Sequence, residues 1–133
     1  MGIVDSHGLP VALSTGSASP HELKYVELTL DNMFIDEQPE KMIGDKAYDS
    51  DPLDRRLMEE RHVELIAPHK ANRVRPKTQD GRKLRRYGKR WRVEPLFAWL
   101  QNYRRIQTRW EYHLSNYQGF VHLGCIMILM KHF

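Results

Sequence analysis

A single cysteine, Cys125, rules out an internal disulfide, and its place inside an apolar run makes it a buried, inert thiol suited to a reducing cytoplasm. The longest apolar stretch, Phe120 to Met130, includes His122 and is 11 residues long. That falls short of the roughly 20 residues needed to cross a bilayer. With no signal-like start, a soluble cytoplasmic protein without membrane contact is expected. The seven histidines form no close ligand pairs, which with one cysteine excludes a zinc cluster. No glycine-rich phosphate loop occurs, so a nucleotide triphosphate is not an expected substrate. Acid, too, is scarce in one place: residues 70–109 hold 14 Lys/Arg against only Asp80 and Glu94.

What is present is therefore sharply divided. Residues 1–69 hold 6 Lys/Arg against 14 Asp/Glu, a net of −8, whereas the next 40 residues carry a net of +12, although the whole chain is only +4. Tyr87, Trp91, Trp99 and Tyr103 lie among the arginines, a mixture that suits phosphate neutralisation combined with stacking on bases. A solvated basic face on a plain α/β domain is the alternative reading of the same charges. At 133 residues the chain fits a single domain, residues 1–133, large enough to bury its own core.

Along the chain, Gly2 to Asp5 and Pro10 to Thr15 flank Ser6-His7-Gly8 as a hairpin. Ser19-Pro20-His21-Glu22 reads as a capping box opening a helix to about Asn32, with Leu23, Val26 and Leu30 buried. Lys41 to Gly44 predicts a buried strand with Asp45 at its end, Asp51 opens a helix burying Leu53 and Leu57, and Val63 to Ala67 predicts another strand. His69 to Gly88 is expected to be a long basic loop. Apolar residues at Val93, Leu96/Phe97, Leu100 and Tyr103 then predict one helix to about Gln107. Ser115 is a second expected cap, ahead of a terminal helix through Phe120 to Met130. This order points to an α/β layer.

Two carboxylates stand out by position: Asp45 at a strand end and Glu94 inside the stretch stripped of acid. Carboxylates brought together from a strand and a helix can hold divalent metals for phosphodiester chemistry. Taken singly, Asp45 could cap a turn and Glu94 could pair with neighbouring arginines.

The spacing Tyr87, Arg90, Glu94, Gln101 resembles the signature around the catalytic glutamate of the DDE-type insertion-sequence transposases. Arg90 to Glu94, Phe97 to Leu100 and Tyr103 to Ile106 resemble the VER-x-FAWL-x-x-x-RR block of one subgroup, and Gly44 to Ser50 resembles its ADKGYDS motif. Residues Ile3 to Pro10 are similar to the same subgroup's second and third strands, so the resemblance spans nearly the whole chain.

The resemblance implies an RNase H-like mixed sheet with flanking helices, incomplete here because the first strand and its aspartate have no counterpart. Asp45 would then be the second catalytic aspartate and Glu94 the glutamate, together holding Mg²⁺ or Mn²⁺. Tyr87, Arg90, Arg92, Gln101, Arg104 and Arg105 would contact DNA, at element ends and target. Gln101 stands where the family usually has lysine, and Pro95 where it usually has arginine. Proline disfavours helical geometry in the preceding residue, so Glu94 is expected only at the very start of a helix. The implied function is metal-dependent strand cleavage and strand transfer in DNA transposition, with self-association or association with an upstream part of the transposase. The alternative is an inactive DNA-binding fragment that interferes with the full-length enzyme.

Overall fold

Asp5 folds the hairpin at the start of the chain. One of its carboxylate oxygens accepts the backbone N–H groups of His7 at 2.8 Å and Leu9 at 2.9 Å, and Gly8 supplies the left-handed residue, φ +86°, that completes the turn. Burial alone would raise the Asp5 pKa, but these hydrogen bonds hold it below the ordinary carboxylate range. The flanking strands, β1 (Gly2–Val4) and β2 (Pro10–Leu13), pair antiparallel with an irregularity between Ile3 and Val4. This computed structural model describes residues 1–16, 22–79 and 81–132, and its contacts divide the chain into two compact units, residues 1–35 with 91–133, and residues 36–90.

In the first unit, α1 (Leu23–Asp31) buries Val26, Thr29 and Leu30, while Leu23 is half-buried. The proposed cap residues Ser19 to His21 lie outside the described residues. After α1 the chain returns along β2, with an antiparallel bridge from Met33 to Ala12 and the Phe34 N–H donating to the Val11 carbonyl at 2.8 Å. The core gathers Leu13, Leu96, Leu100, Val121, Cys125 and Ile128. Burial raises the Cys125 pKa to about 11, so the thiol stays protonated and packs as a small apolar group.

The helix expected from Val93 to Gln107 is two helices, α4 (Glu94–Gln101) and α5 (Arg104–Gln107). Tyr103 between them is extended, at φ −92° and ψ 112°. The turn brings Ile106 against α6 (Leu114–Leu129) at Gly124, where an added side chain would press on the ends of Ile106 and Leu100. Tertiary packing thus overrides the continuing apolar period. The terminal helix begins at Leu114 with His113 as its cap residue and no side-chain cap bond, so Ser115 does not cap it as the sequence suggested.

In the second unit, β3 (Lys41–Ile43) and β4 (Glu64–Ile66) pair in parallel, Met42 opposite Leu65. The strand expected to be buried is so on one face only: Lys41 is exposed and Met42 buried. Between them α2 (Asp51–Arg61) buries Leu53 and Leu57. Pro52 in its first turn forgoes no hydrogen bond, Asp51 and Asp54 face the positive end of its dipole, and His62 ends it in the left-handed conformation at φ 57°.

The element order read from the sequence up to β4 is the order found, and among the described residues the strands pair as two two-stranded sheets, one in each unit. The stretch expected as a loop over residues 69–88 has no regular element before residue 80, then α3 (Gly81–Leu84) and a 3-10 run, Arg85–Val93. No helix among the described residues is long and apolar enough to cross a membrane.

Candidate functional site

Asp45 follows directly on β3 through Gly44 and caps a 3-10 turn, Lys46–Tyr48, accepting the Ala47 N–H on Oδ1 at 2.8 Å. The capping role weighed for it in the sequence is thus real. Its side chain is still 41 % exposed, and Oδ2 faces the guanidinium of Arg90 at 3.9 Å. Arg90 also lies over the ring of Tyr87, 5.8 Å from its centroid. Residues three apart eclipse in a 3-10 run, which is why this pair meets. Three of the residues marked out in the sequence, Asp45, Tyr87 and Arg90, therefore stand together in the second unit.

The others lie in the first unit. Glu94 is exposed and is the first residue of α4, with Pro95 behind it in the first turn, as the constraint on a residue before proline requires. Proline also lacks an N–H and crowds the carbonyl four residues earlier, here Trp91, so the backbone before α4 continues as 3-10 turns and not as an α-helix. Arg92 is half-buried and donates to the Ser6 carbonyl in the hairpin turn. Gln101 is exposed at the last position of α4, and Arg104 is exposed at the start of α5. Arg105 is committed: it pairs with Glu111 at 2.9 Å and lies 5.4 Å from the centroid of the Phe120 ring.

A denser set of charges, not singled out from the sequence, surrounds Asp49 in the second unit. Its side chain is 4 % exposed and accepts from His69 Nδ1, the Lys70 N–H and an Arg73 N–H, each at 2.8 Å. The Thr78 N–H donates to His69 Nε2 at 3.1 Å, which fixes the tautomer with its proton on Nδ1, toward Asp49. Arg73 continues to Asp51 at 2.7 Å, and Arg75 reaches Asp51 at 3.3 Å. Gln79 closes the segment, its amide donating to the Leu65 carbonyl at 3.0 Å and accepting the Ala67 N–H at 3.1 Å. Residues 69–79 are thus tied down at both ends.

The electrostatics of this cluster run in opposite directions within a few residues. Burial raises the Asp49 pKa, but the Lys70 and His69 hydrogen bonds and the Arg73 charge outweigh it and hold the carboxyl below its usual range. Asp51 is lowered chiefly by its hydrogen bond to Arg73. Asp54, one turn into α2, is pushed up to about 6 by burial and then by the charges of Asp51 and Asp49. Its buried Oδ1 has no hydrogen-bond partner, a cost that a protonated carboxyl reduces. The Gly44 to Ser50 motif contained Asp49, yet its partners lie 20 to 24 residues further on. A local reading has no access to them.

Asp45 and Glu94 are hard oxygen donors of the kind Mg²⁺ and Mn²⁺ take, and both side chains are open to solvent, so the donor chemistry fits such an ion. Among the described residues no three His, Cys, Asp or Glu side chains are grouped to hold one.

Comparison with known proteins follows the same lines. The profile of the family described as "Transposase DDE domain" matches residues 1–130. Over 92 residues the chain is 32 % identical to a protein of Burkholderia cepacia assigned as transposase for insertion sequence element IS402, covering 69 % of this chain and 39 % of that one. It is 38 % identical over 92 residues to a protein of Brucella ovis assigned as transposase for insertion sequence element IS6501, covering 68 % of this chain and 67 % of the relative. The match therefore spans well under half of the first relative and about two thirds of the second. No solved structure matches at a significant level.

Proposed function

The chain belongs to the transposase DDE domain family, and from that premise we propose that it forms part of the catalytic domain of an insertion-sequence transposase, with an RNase H-like core. The reaction is phosphoryl transfer on DNA. A hydroxyl oxygen attacks a phosphorus, the bond from phosphorus to the 3′ oxygen breaks, and the freed 3′-hydroxyl then attacks target DNA in the same way. Asp45 and Glu94 would offer carboxylate oxygens to a divalent cation, Mg²⁺ or Mn²⁺, which would supply Lewis-acid stabilisation of charge developing on phosphate oxygen.

The observation that carries the reading is Asp45 itself, a partly exposed carboxylate just beyond a strand end, with an arginine opposite its outward oxygen. Arg90 balances Asp45 and offers a planar fork that suits a backbone phosphate. Tyr87 braces that guanidinium from below. Arg92 and Arg104 add positive charge for the DNA backbone, Gln101 adds a neutral hydrogen bond, and Arg105 acts through the loop it pins at Glu111. Association with a second copy or with another part of the transposase is supported by an exposed apolar stripe along α6 and its C-cap residue: Leu123, Ile126, Met127 and Met130.

A second reading, DNA binding without cleavage, is supported by Pro95 and Gln101, which stand where the family usually has arginine and lysine. One experiment separates them. Supercoiled plasmid is incubated with the assembled transposase and Mg²⁺, and nicking is compared with Glu94→Gln and Asp45→Asn. Loss of nicking with retained gel-shift binding is expected. Cleavage that survives both changes removes the metal-ligand assignment, and nicking absent from the unmodified protein, with binding intact, favours the second reading.

A further inference from the structure

Between α5 and α6 the chain makes a short connection whose exposure alternates. Trp110 is 68 % exposed, the Glu111 side chain 8 %, and Tyr112 91 %. Large aromatic side chains that open to solvent forfeit burial free energy, and two on one connection call for a ligand. Glu111, turned inward, accepts from Arg105 on Oε1 at 2.9 Å and from the Trp110 N–H on Oε2 at 3.2 Å. Arg109 then donates to the Glu111 carbonyl at 3.0 Å and the Tyr112 carbonyl at 2.9 Å, with its guanidinium 6.0 Å from the centroid of the Tyr117 ring. Tyr117 in turn donates its hydroxyl to the Ile106 carbonyl at 2.9 Å. His113 stands edge-on to Tyr112, with ring centroids 5.1 Å apart.

Glu111 and the Arg109 guanidinium are thus engaged in holding the shape of this connection, and its two large rings face outward beside the exposed His113. Its ionic balance is positive. Across residues 96–113 three arginines, Arg104, Arg105 and Arg109, stand against the single Glu111, which is consumed by Arg105. A rigid mount, two presented rings and unneutralised guanidinium charge suit a ligand that is flat, aromatic and anionic. An apolar protein segment would leave the charge unanswered.

We propose that Trp110 and Tyr112 form a stacking platform for unpaired bases of the DNA on which the transposase acts. This rests on the DNA reading above and adds to it a binding element outside the carboxylate site. A fully paired duplex buries its base faces and offers these rings nothing, whereas a melted, flipped or single-stranded base exposes a face that an aromatic ring covers without regard to sequence. Arg104 lies near enough in the chain to follow the accompanying phosphates.

The test measures fluorescence anisotropy of the full chain titrated onto two labelled oligonucleotides of equal length, one single-stranded and one fully paired. Unmodified protein, Trp110→Ala, Tyr112→Ala and Trp110→Phe are compared, each with its circular dichroism as a check on folding. Because both rings are exposed, all variants are expected to fold. Each alanine variant should weaken single-strand binding by about 5- to 100-fold, the range for losing one base stack, while duplex binding changes less than about 2-fold and Trp110→Phe retains most affinity. Equal loss on both probes, or no loss on the single strand, overturns the platform while leaving the DNA reading intact. Failure of the unmodified protein to bind either probe at low salt overturns both. A change in sedimentation of the alanine variants without DNA, with single-strand affinity unchanged, assigns the rings to a protein contact and overturns the proposal.

Discussion

The Asp49 carboxylate and the Arg73 guanidinium meet at 2.8 Å although 24 residues separate them. Asp49 sits just before α2 and Arg73 beyond β4, so one ion pair ties the segment after the strand to the start of the helix before it. His69 and the Lys70 N–H complete the same carboxylate.

Replacing Asp49 by Asn removes the charge that Arg73 faces and turns one acceptor into a donor, opposite either the Lys70 N–H or the His69 and Arg73 donors. The buried partners are left unpaired, and a loss of about 2–4 kcal/mol of stability is expected. Hydrogen exchange over residues 69–79 should accelerate together with a lower denaturant midpoint. An unchanged midpoint and unchanged exchange would show that Gln79 and Thr78 hold the segment without Asp49.

Asp54 gives a pH dependence of the opposite sign to its neighbours. Its pKa of about 6 in the folded chain lies above the ordinary 3.8, so the folded state holds the proton more tightly than the unfolded state. On its account stability is greatest at low pH, falls as pH rises from about 4 to about 6, and is level above. Asp49 and Asp51, lowered on folding, contribute stability above the ordinary carboxylate range that is lost as pH falls through their folded values. Asp54→Asn should therefore stabilise by about 1–2 kcal/mol above pH ~6, after allowance for solvent screening, and give no gain below pH ~4. Urea titrations at the two ends of this range measure the difference, and an equal effect at both ends would rule out titration as its source.

Two glycines of α6 should respond in opposite directions to alanine. At Gly124 a Cβ would lie 2.6 Å from Ile106 Cδ1 and 2.9 Å from Leu100 Cδ2, whereas at Gly119 nothing stands within 4 Å. Gly124→Ala should cost about 1–2 kcal/mol, overpacking offset in part by helix propensity. Gly119→Ala should stabilise by about 0.5–1 kcal/mol. Paired thermal melts decide it; a gain at both positions would mean that Ile106 and Leu100 yield freely.

Where local chemistry decides the backbone, the sequence was legible. Asp5 with Gly8 announces its turn, and Pro52 after Asp51 announces a helix start. Pro95 correctly limits Glu94 to the first position of its helix. The break at Tyr103 was not legible, because the apolar period runs straight through it and only the close approach of Ile106 to Gly124 selects the turn. Of the site, Asp45, Tyr87 and Arg90 are found together, since a spacing of three is what a 3-10 run aligns. The Asp49 cluster stayed hidden because each bond to Asp49 joins the Gly44 to Ser50 motif to the basic segment beyond β4, and neither stretch predicts the other.

The 3-10 run Arg85–Val93 is itself a store of like-charge repulsion. Its three-residue period sets Arg86 in line with Lys89 about one turn away, roughly 6 Å along the axis. At that distance in water each neighbouring pair of positive charges repels by about 0.7 kcal/mol, unscreened. A polyanion laid along the column would relieve that repulsion, and so would simple salt. Ionic strength should therefore act twice on this run: dilute buffer would loosen it while favouring any polyanion it meets, and concentrated salt would firm it while competing for its charges.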